Sequence, residues 1–348
     1  MANALTELLG IRHPILLGPF GGLSSVDLVA AVSEADGLGS YGLYGYDAPR
    51  ITETAEAIRA ATRRPFALNL WLPLEWAEPP GADVAAAAAA LRPLFAEVGV
   101  TPPETLPSRY LPDAAEQWAA VMEARPAAVS VVYGVPSAAM VAHAREREIA
   151  VLGTATTVAE AVALEAAGVD AIVATGFEAA GHRVSFLRAP EDSLVGTFAL
   201  VPQVADAVRI PVIAAGGIAD RRGVAAAFAL GASGVQVGTA FLRTRQSAAS
   251  DAHRRAMGTV TADGTVLTRA MSGRLARGVP NRAIRTIEAS GVIAPFPAQN
   301  HLTGLFRAEA GRRNLGDLQS LWAGQAAPLA TRDDARDVFV ELLAGVPG

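Results

Sequence analysis

The 348-residue sequence contains no cysteine, which excludes a disulfide framework, a thiolate metal site and a cysteine nucleophile. Long uncharged hydrophobic runs are also absent, because alanine supplies much of the 51% hydrophobic content and the alanine run at 85–90 is short. No basic segment precedes a hydrophobic one near the N-terminus, so we predict no signal peptide. These absences predict a cytoplasmic protein without a membrane span.

Positive charge is scarce as well. The 29 Lys and Arg residues are outnumbered by 34 Asp and Glu residues, which leaves a net charge of −5. Nucleic acids and anionic membranes bind proteins through clustered positive charge. We therefore expect a small-molecule substrate rather than a nucleic-acid or membrane partner. The spacing of the five histidines relative to Asp and Glu predicts no metal site.

The sequence does contain a repeated alternation of short apolar runs and alanine-rich helical patterns. Eight runs are predicted strands, at 14–17, 38–42, 66–71, 128–132, 149–153, 171–175, 212–215 and 235–238. Most are continuously apolar, which is typical of parallel strands covered on both faces. Strands that alternate with helices predict a parallel sheet with right-handed crossovers, and eight such units favour closure. The predicted fold class is α/β, a (β/α)8 TIM barrel formed by residues 1–244.

Two stretches interrupt this alternation. Residues 73–112, after the third strand, are too long for an ordinary loop and are predicted to lie over the C-terminal face of the barrel. Residues 245–325, after the eighth strand, are predicted to form a mostly helical cap that contributes to the substrate region. Residues 326–348 contain a predicted helix whose apolar stripe indicates packing back on the barrel.

Two glycine-bearing turns follow the seventh and eighth strands. The first contains Gly216 and Gly217, and the second contains Gly238 and Thr239. Glycine lets the backbone approach a ligand closely, and a helix that begins at Thr239 would add the positive end of its dipole. Barrels often bind phosphate at these two loops, so we predict a phosphate-bearing cofactor there.

A histidine follows the sixth strand, in the segment TGFEAAGH at 175–182. His182 is therefore expected at the same C-terminal face of the barrel as the phosphate turns. The ordinary pKa of histidine, near 6.5, predicts proton exchange by this residue near neutral pH. The other four histidines are predicted to be structural. In the first turn Gly21 and Gly22 allow close approach to a flat ring, and the buried amide of Asn69 needs partners that a cofactor edge could supply.

These motifs together resemble the nitronate monooxygenases, formerly called 2-nitropropane dioxygenases, which are FMN-dependent barrels. Further shared segments are HPI at 13–15, ADGLGS at 35–40, SGRLAR at 272–277 and WAGQ at 322–325. The flavin-dependent enoyl-ACP reductases are similar and share nearly all of these motifs. The chain departs from the family pattern at Leu17 and Thr175, where the family often has Gln, and at Ala180, where it has Gly.

The resemblance implies an FMN cofactor and a role for each matching residue. The phosphate-binding residues would be Gly181, Gly216, Gly217, Gly238 and Thr239, and the residues along the isoalloxazine would be Phe20, Gly21 and Asn69. His182 would act as base for a nitroalkane, or as a cationic or hydrogen-bonding partner for a nitronate. The implied reaction is oxidation of an alkyl nitronate by O2 to a carbonyl compound and nitrite.

Three alternatives stay open at the level of sequence. An NAD(P)H-dependent enoyl-thioester reductase would use the same cofactor. A non-catalytic flavin- or phosphate-binding barrel would keep the glycine turns but would not need His182. The altered motif also leaves room for a specialised oxidation in a biosynthetic pathway. The oligomeric state is undecided, with a homodimer as one alternative.

Overall fold

A computed structural model of the protein describes residues 3–73 and 84–348. The strands in these ranges are β1 (Ile15–Leu17), β2 (Gly39–Gly42), β3 (Phe66–Trp71), β4 (Ala128–Val132), β5 (Ala150–Ala155), β6 (Ala171–Thr175), β7 (Gly181–His182), β8 (Val212–Ala215), β9 (Gly234–Val237), β10 (Val266–Thr268) and β11 (Ala276–Gly278). The α-helices are α1 (Ala4–Leu9), α2 (Val26–Glu34), α3 (Ala48–Ala61), α4 (Val84–Ala90), α5 (Arg92–Val98), α6 (Ala114–Ala124), α7 (Ala138–Glu146), α8 (Val158–Ala166), α9 (Thr197–Ala207), α10 (Arg221–Ala229), α11 (Thr239–Leu242), α12 (Asp251–Thr259), α13 (Arg282–Ser290), α14 (Ala298–Arg312) and α15 (Ala335–Leu343).

Eight parallel strands form a barrel in the order β1-β9-β8-β6-β5-β4-β3-β2. Hydrogen bonds between β1 and the residue before β2 close the ring. The N–H of Leu17 donates to the oxygen of Leu38 at 2.9 Å, and the N–H of Leu38 donates to the oxygen of Ile15 at 3.0 Å. The prediction of a (β/α)8 barrel from eight apolar runs is therefore confirmed, with strand bounds that differ by one or two residues.

Apolar side chains fill the barrel interior, so the barrel is a packed core rather than a pore. Small residues at the beginnings of neighbouring strands are in register, with Ala67 opposite Ala128 and Ala128 opposite Ala150. They share one buried cluster with Leu5 and Leu9 of α1. This helix covers the N-terminal end of the barrel, which leaves the C-terminal end of the strands as the open face.

The outer helices bury their apolar faces against the strands in a second cluster. The C-terminal helix α15 belongs to this layer and packs against α2 and α10. The contact is close, since a Cβ atom at Gly37 would lie 2.5 Å from Cε2 of Phe339. Glycine is needed at position 37 because the aromatic ring occupies the space of a side chain.

The cap after the eighth barrel strand is mostly helical in its regular structure, as the sequence predicts, with α12, α13 and α14. It also contributes two short strands to an antiparallel sheet in the order β10-β11-β7. In this sheet His182 of β7 pairs with Ala276 of β11. The cap is therefore joined by backbone pairing to the loop that follows β6. Its two contributing strands have only three residues each, too few to show a period-2 pattern.

Helices from the insertion after β3 pack under the same cap. Leu94 and Phe95 of α5 share a buried cluster with Ile287 of α13 and Phe306 of α14. Part of the predicted insertion, residues 74–83, lies outside the described residues. Among the helices that the structure describes, none has both the length and the apolar character needed to span a bilayer.

Candidate active site

A cavity of about 380 Å³ opens at the C-terminal ends of the barrel strands, beneath the cap. Its size is in the range of small-molecule and cofactor sites. Its lining includes Gly18, Asn69, Trp71, Ser130, Thr154, Thr175 and Gln236 from the barrel side and Asn300, Arg307, Trp322 and Gly324 from the cap side. Because the cap covers the strand ends, a ligand in this cavity would contact both parts of the chain.

The nine site residues predicted from the sequence all line this one cavity. They are Phe20, Gly21, Asn69, Gly181, His182, Gly216, Gly217, Gly238 and Thr239. The structure thus brings them together, while their roles toward a ligand stay predictions. His13, His143, His253 and His301 are not among the lining residues, and the ring of His253 is bonded through Nε2 to the oxygen of Trp322 at 2.9 Å.

Glycines shape one side of the cavity. Gly181, Gly216 and Gly217 have φ values of 73°, 94° and 73°, in the left-handed region that other residues rarely adopt. A Cβ atom at Gly181 would meet no atom within 4 Å, and one at Gly217 would lie 3.8 Å from Cβ of Glu178. Side chains at these positions would therefore extend into open space, which the absence of Cβ leaves to a ligand.

A network behind the first turn holds it in place. The hydroxyl of Thr197 donates to the oxygen of Gly216 at 2.9 Å, and the N–H of Thr197 donates to the carboxylate of Glu178 at 2.9 Å. A Cβ atom at Gly216 would lie 3.1 Å from the oxygen of Gly176. The turn is thus both rigid and tightly packed from behind. Two consecutive glycines with positive φ bring the backbone of this turn to the cavity without side chains, so a ligand can approach it closely.

The second turn approaches the first strand and the cap. A Cβ atom at Gly18 would lie 3.1 Å from Cα of Gly238, so the two backbones are nearly in contact. The N–H of Gly324 donates to the hydroxyl of Thr239 at 3.0 Å. As predicted, a helix begins at Thr239, although α11 has only four residues.

Asn69 is buried and lines the cavity, but its amide nitrogen already has protein partners. It donates to the hydroxyl of Ser130 at 2.9 Å and to the backbone oxygen of Ser130 at 3.2 Å. The expectation that a cofactor edge supplies the partners of this amide is therefore wrong for the nitrogen. Ser130 on β4 orients the amide because the two strands pair with Asn69 opposite Ser130.

His182 faces the cavity within an aromatic wall. Its ring centroid lies 5.3 Å from that of Trp71, 5.9 Å from that of Phe296 and 5.6 Å from that of Trp322. Burial, with smaller contributions from the positive charges of Arg274 and Arg307, lowers the pKa of His182 to about 3. A pKa lowered in this way favours the neutral imidazole, whereas the prediction of proton exchange near neutral pH assumes the ordinary value near 6.5.

The hydrogen bonds of Ser272 determine the tautomer of that neutral ring. The Ser272 hydroxyl lies 3.0 Å from the oxygen of Arg274 and 2.8 Å from Nε2 of His182. A hydroxyl has one proton, and a carbonyl oxygen can only accept. Both contacts are hydrogen bonds when Ser272 donates to Arg274 and Nε2–H of His182 donates to Ser272. This arrangement leaves Nδ1 of His182 as the basic atom.

Two buried arginines hold the loop that carries His182. The guanidinium of Arg183 donates to the oxygen of Gly176 at 2.7 Å and to that of Thr175 at 3.2 Å. The Nε–H of Arg277 donates to the oxygen of Phe177 at 2.8 Å. Burial lowers the pKa of Arg183 to about 10, which keeps it charged at neutral pH. These bonds fix the path of the backbone between β6 and β7.

Several further residues line the cavity that were not predicted from the sequence. Trp71 follows Asn69 by two residues, so strand periodicity places both on one face and could have identified it. Tyr44, Asn300 and Arg307 carried no such signal, because only the folded cap brings α14 to the end of β2. Ser272 had a weak signal as part of a motif shared with the resembled family.

A (β/α)8 barrel with glycine turns after its last two strands, and a histidine in the same cavity, defines a barrel enzyme with its site at the C-terminal face. A family model described as nitronate monooxygenase matches residues 2–345. A nitronate monooxygenase of Pseudomonas aeruginosa is 41% identical over 355 residues, covering 100% of both chains. A probable nitronate monooxygenase of Staphylococcus aureus is 38% identical, covering 98% of this chain and 96% of the relative.

Solved structures agree with these matches. A nitroalkane oxidase from Streptomyces ansochromogenes superposes with a TM-score of 0.90 at 36% identity, covering 98% of this chain and 97% of the other. FabK from Thermotoga maritima superposes with a TM-score of 0.77 at 28% identity, covering 99% and 95%. The chain belongs to the nitronate monooxygenase family, which confirms the resemblance found in the sequence and makes the protein an oxidoreductase.

Proposed function

We propose that this protein is an FMN-dependent enzyme that oxidises alkyl nitronates with O2 to a carbonyl compound and nitrite. The observation that carries the proposal is the meeting of the glycine turns and His182 in one cavity of a nitronate monooxygenase family member. Residues 245–325 form the substrate-side cap in this proposal, and residues 84–112, the described part of the insertion, contribute to its cover.

The residues present fit FMN in chemistry and in arrangement. Gly181 and Gly217 leave open space that a phosphate would fill, next to backbone N–H groups of left-handed glycines. In the ring of eight strands β3 lies opposite β8, so Asn69 faces Gly216 and Gly217 across the barrel mouth. A cofactor with a phosphate at one end and a flat ring at the other matches this separation. When bound, FMN would accept electrons from the substrate and pass them to O2.

The chain's own residues would bind and orient the substrate. Ser272 holds the neutral His182 with Nδ1 free to accept a hydrogen bond or a proton. A pKa of about 3 makes this imidazole a weak base, because its charged form is poorly solvated beside Arg274 and Arg307. A weak base removes a carbon-bound proton poorly. The site therefore favours a nitronate, which is already deprotonated, over a neutral nitroalkane.

The aromatic wall would keep water away from the reacting carbon. Trp71, Phe296 and Trp322 pack around His182 and cover part of its ring with apolar surface. Exclusion of water strengthens electrostatic interactions inside the site and limits side reactions of reactive species. This role belongs to the protein alone and does not depend on the identity of the nitronate.

The proposal is tested with purified, FMN-loaded protein and an alkyl nitronate in an oxygen-electrode cell. We expect O2 consumption together with release of nitrite and carbonyl compound, without NAD(P)H. The matched arm replaces the nitronate with an enoyl thioester and NADH. Rapid NADH oxidation in that arm, with no nitrite in the first, would assign the protein to the reductase branch instead.

A further inference from the structure

Arg307 lines the cavity from α14 and has no use in the mechanism described above. Its Nη1 donates to the hydroxyl of Ser320 at 2.6 Å, and its Nη2 donates to the side-chain oxygen of Asn300 at 2.7 Å. Its Nε is buried and has no hydrogen-bond partner among the described residues. Burial lowers the pKa of Arg307 to about 10, so the guanidinium is charged at neutral pH.

This buried cation lacks a counter-charge. Within residues 3–73 and 84–348, no carboxylate forms an ion pair with Arg307. The buried Arg183 differs, because the carboxylates of Glu160 and Glu178 raise its pKa. An uncompensated buried charge is strongly destabilising, whereas an anion at the right distance removes that cost. The cavity is the place from which such an anion could reach Arg307.

Neighbouring groups prepare a second donor beside the guanidinium. The side-chain nitrogen of Asn300 donates to the hydroxyl oxygen of Tyr44 at 2.9 Å, while its oxygen accepts from Arg307. Burial raises the pKa of Tyr44, so its hydroxyl keeps its proton. Because that oxygen already accepts from Asn300, its own proton can be donated to a ligand. Tyr44 also lines the cavity and stacks 4.3 Å from Trp71.

The Arg307 group is separate from the glycine turns. Tyr44 follows β2, which is three strands away from β8 around the ring. The positive charge of Arg307 contributes to the lowered pKa of His182, so the two side chains are near each other. A ligand bound to Arg307 and Tyr44 would therefore lie on the His182 side of the cavity, apart from the turn at Gly216 and Gly217. Two anion-binding groups in one cavity match a phosphate at one end and a second anion at the other.

We propose that Arg307, with the hydroxyl of Tyr44 as second donor, binds the two oxygens of a small planar oxyanion and makes the site selective for anionic substrates. Arg307 supplies the positive charge and its second Nη1–H, since its Nη2 already donates to the side-chain and backbone oxygens of Asn300 at 2.7 Å and 3.1 Å. The inference deepens the proposed function and rests on it for the identity of the anion as a nitronate. The anion-binding role itself can be measured without turnover.

The test uses isobutyrate, a redox-inert carboxylate with the shape of a small branched alkyl nitronate. It is titrated into the FMN-loaded protein while the flavin absorbance is recorded, with uncharged isobutyramide as the ligand control. We expect saturable binding of isobutyrate and none of isobutyramide. Arg307→Met should weaken isobutyrate binding by about 10- to 100-fold, the range of one charge-assisted hydrogen bond, and Arg307→Lys should weaken it less. Arg285→Met, an exposed arginine of the same cap, serves as the control variant.

Several results would overturn the inference. One is unchanged isobutyrate affinity in Arg307→Met. Another is loss of flavin from Arg307→Met but not from Arg285→Met, since this would assign Arg307 to the cofactor. Absence of isobutyrate binding to the wild type would also overturn the inference. If Arg307→Met fails to fold, Arg307→Lys and Tyr44→Phe carry the comparison. Arg307-dependent isobutyrate binding in a protein that does not oxidise nitronates would support the inference and refute the proposed function.

Discussion

Replacement of Gly217 by leucine isolates the phosphate-binding role assigned to the first glycine turn. Gly217 has a φ of 73°, so leucine there would incur about 1–2 kcal/mol of left-handed strain. The added Cβ would lie 3.8 Å from Glu178, so the fold can accept it and the side chain would extend into the cavity. Gly99→Leu is the matched control. Gly99 has a φ of 68° at the C-terminus of α5, has no atom within 4 Å of a built Cβ, and does not line the cavity.

Both variants should lose similar stability, but only one should lose cofactor. A leucine at position 217 would displace the phosphate from about two backbone N–H groups of this turn. Hydrogen bonds to a charged group contribute about 1.5–3 kcal/mol each, so FMN binding should weaken by roughly 10²- to 10⁴-fold. The assay is the ratio of flavin to protein absorbance in the purified proteins, with Tm as the check on folding. Gly99→Leu should be yellow and Gly217→Leu colourless. A fully flavin-loaded Gly217→Leu would refute phosphate binding at this turn.

Four further predictions concern His182 and a buried carboxylate. His182→Ala should keep FMN and reduce oxidation of a neutral nitroalkane, which needs a base, by about 100-fold or more, while oxidation of the nitronate, which is already deprotonated, should fall less. An equal effect on both substrates would remove the base role of His182. Because burial lowers the pKa of His182 to about 3, the pH profile of kcat/KM should show no break near 6.5 from this residue, and a break there that disappears in His182→Gln would contradict the structure. The unfolded state takes up this proton below about pH 6.5, so the free energy of unfolding should fall as the pH is lowered from 6.5 toward 3. The carboxylate of Glu160 accepts from the N–H groups of Thr156 at 2.7 Å and Phe186 at 2.6 Å. Glu160→Ala should therefore lower the free energy of unfolding in urea by about 3 kcal/mol, whereas Glu56→Ala, at an exposed position, should not. Equal urea midpoints for the two variants would disprove this role of Glu160.

Much of the fold could be predicted because its signals are local. Each barrel strand is a short apolar run, and parallel strands buried on both faces have that character wherever they occur. The glycine turns were predictable for a related reason. Gly216 and Gly217 need the left-handed conformation, and their place after a strand puts them at the open face of the barrel.

The remaining features depend on contacts between distant parts of the chain. β7 has two residues and exists because Ala276 pairs with His182 from the cap, which no local pattern shows. The low pKa of His182 has the same origin, since Arg274 and Arg307 reach it from the cap. The partner of Asn69 could not be predicted because Ser130 lies on the next strand of the sheet, and neither strand's sequence shows the register that pairs them.

The central claim is that nitronates are the electron donors of this enzyme. It is tested most directly by adding an alkyl nitronate to the FMN-loaded protein under anaerobic conditions, without NAD(P)H, while the flavin spectrum is recorded. We expect loss of the oxidised-flavin absorbance on addition of the nitronate and its return on admission of O2, with nitrite formed. An oxidised spectrum that the nitronate leaves unchanged, and that NADH then bleaches, would contradict it.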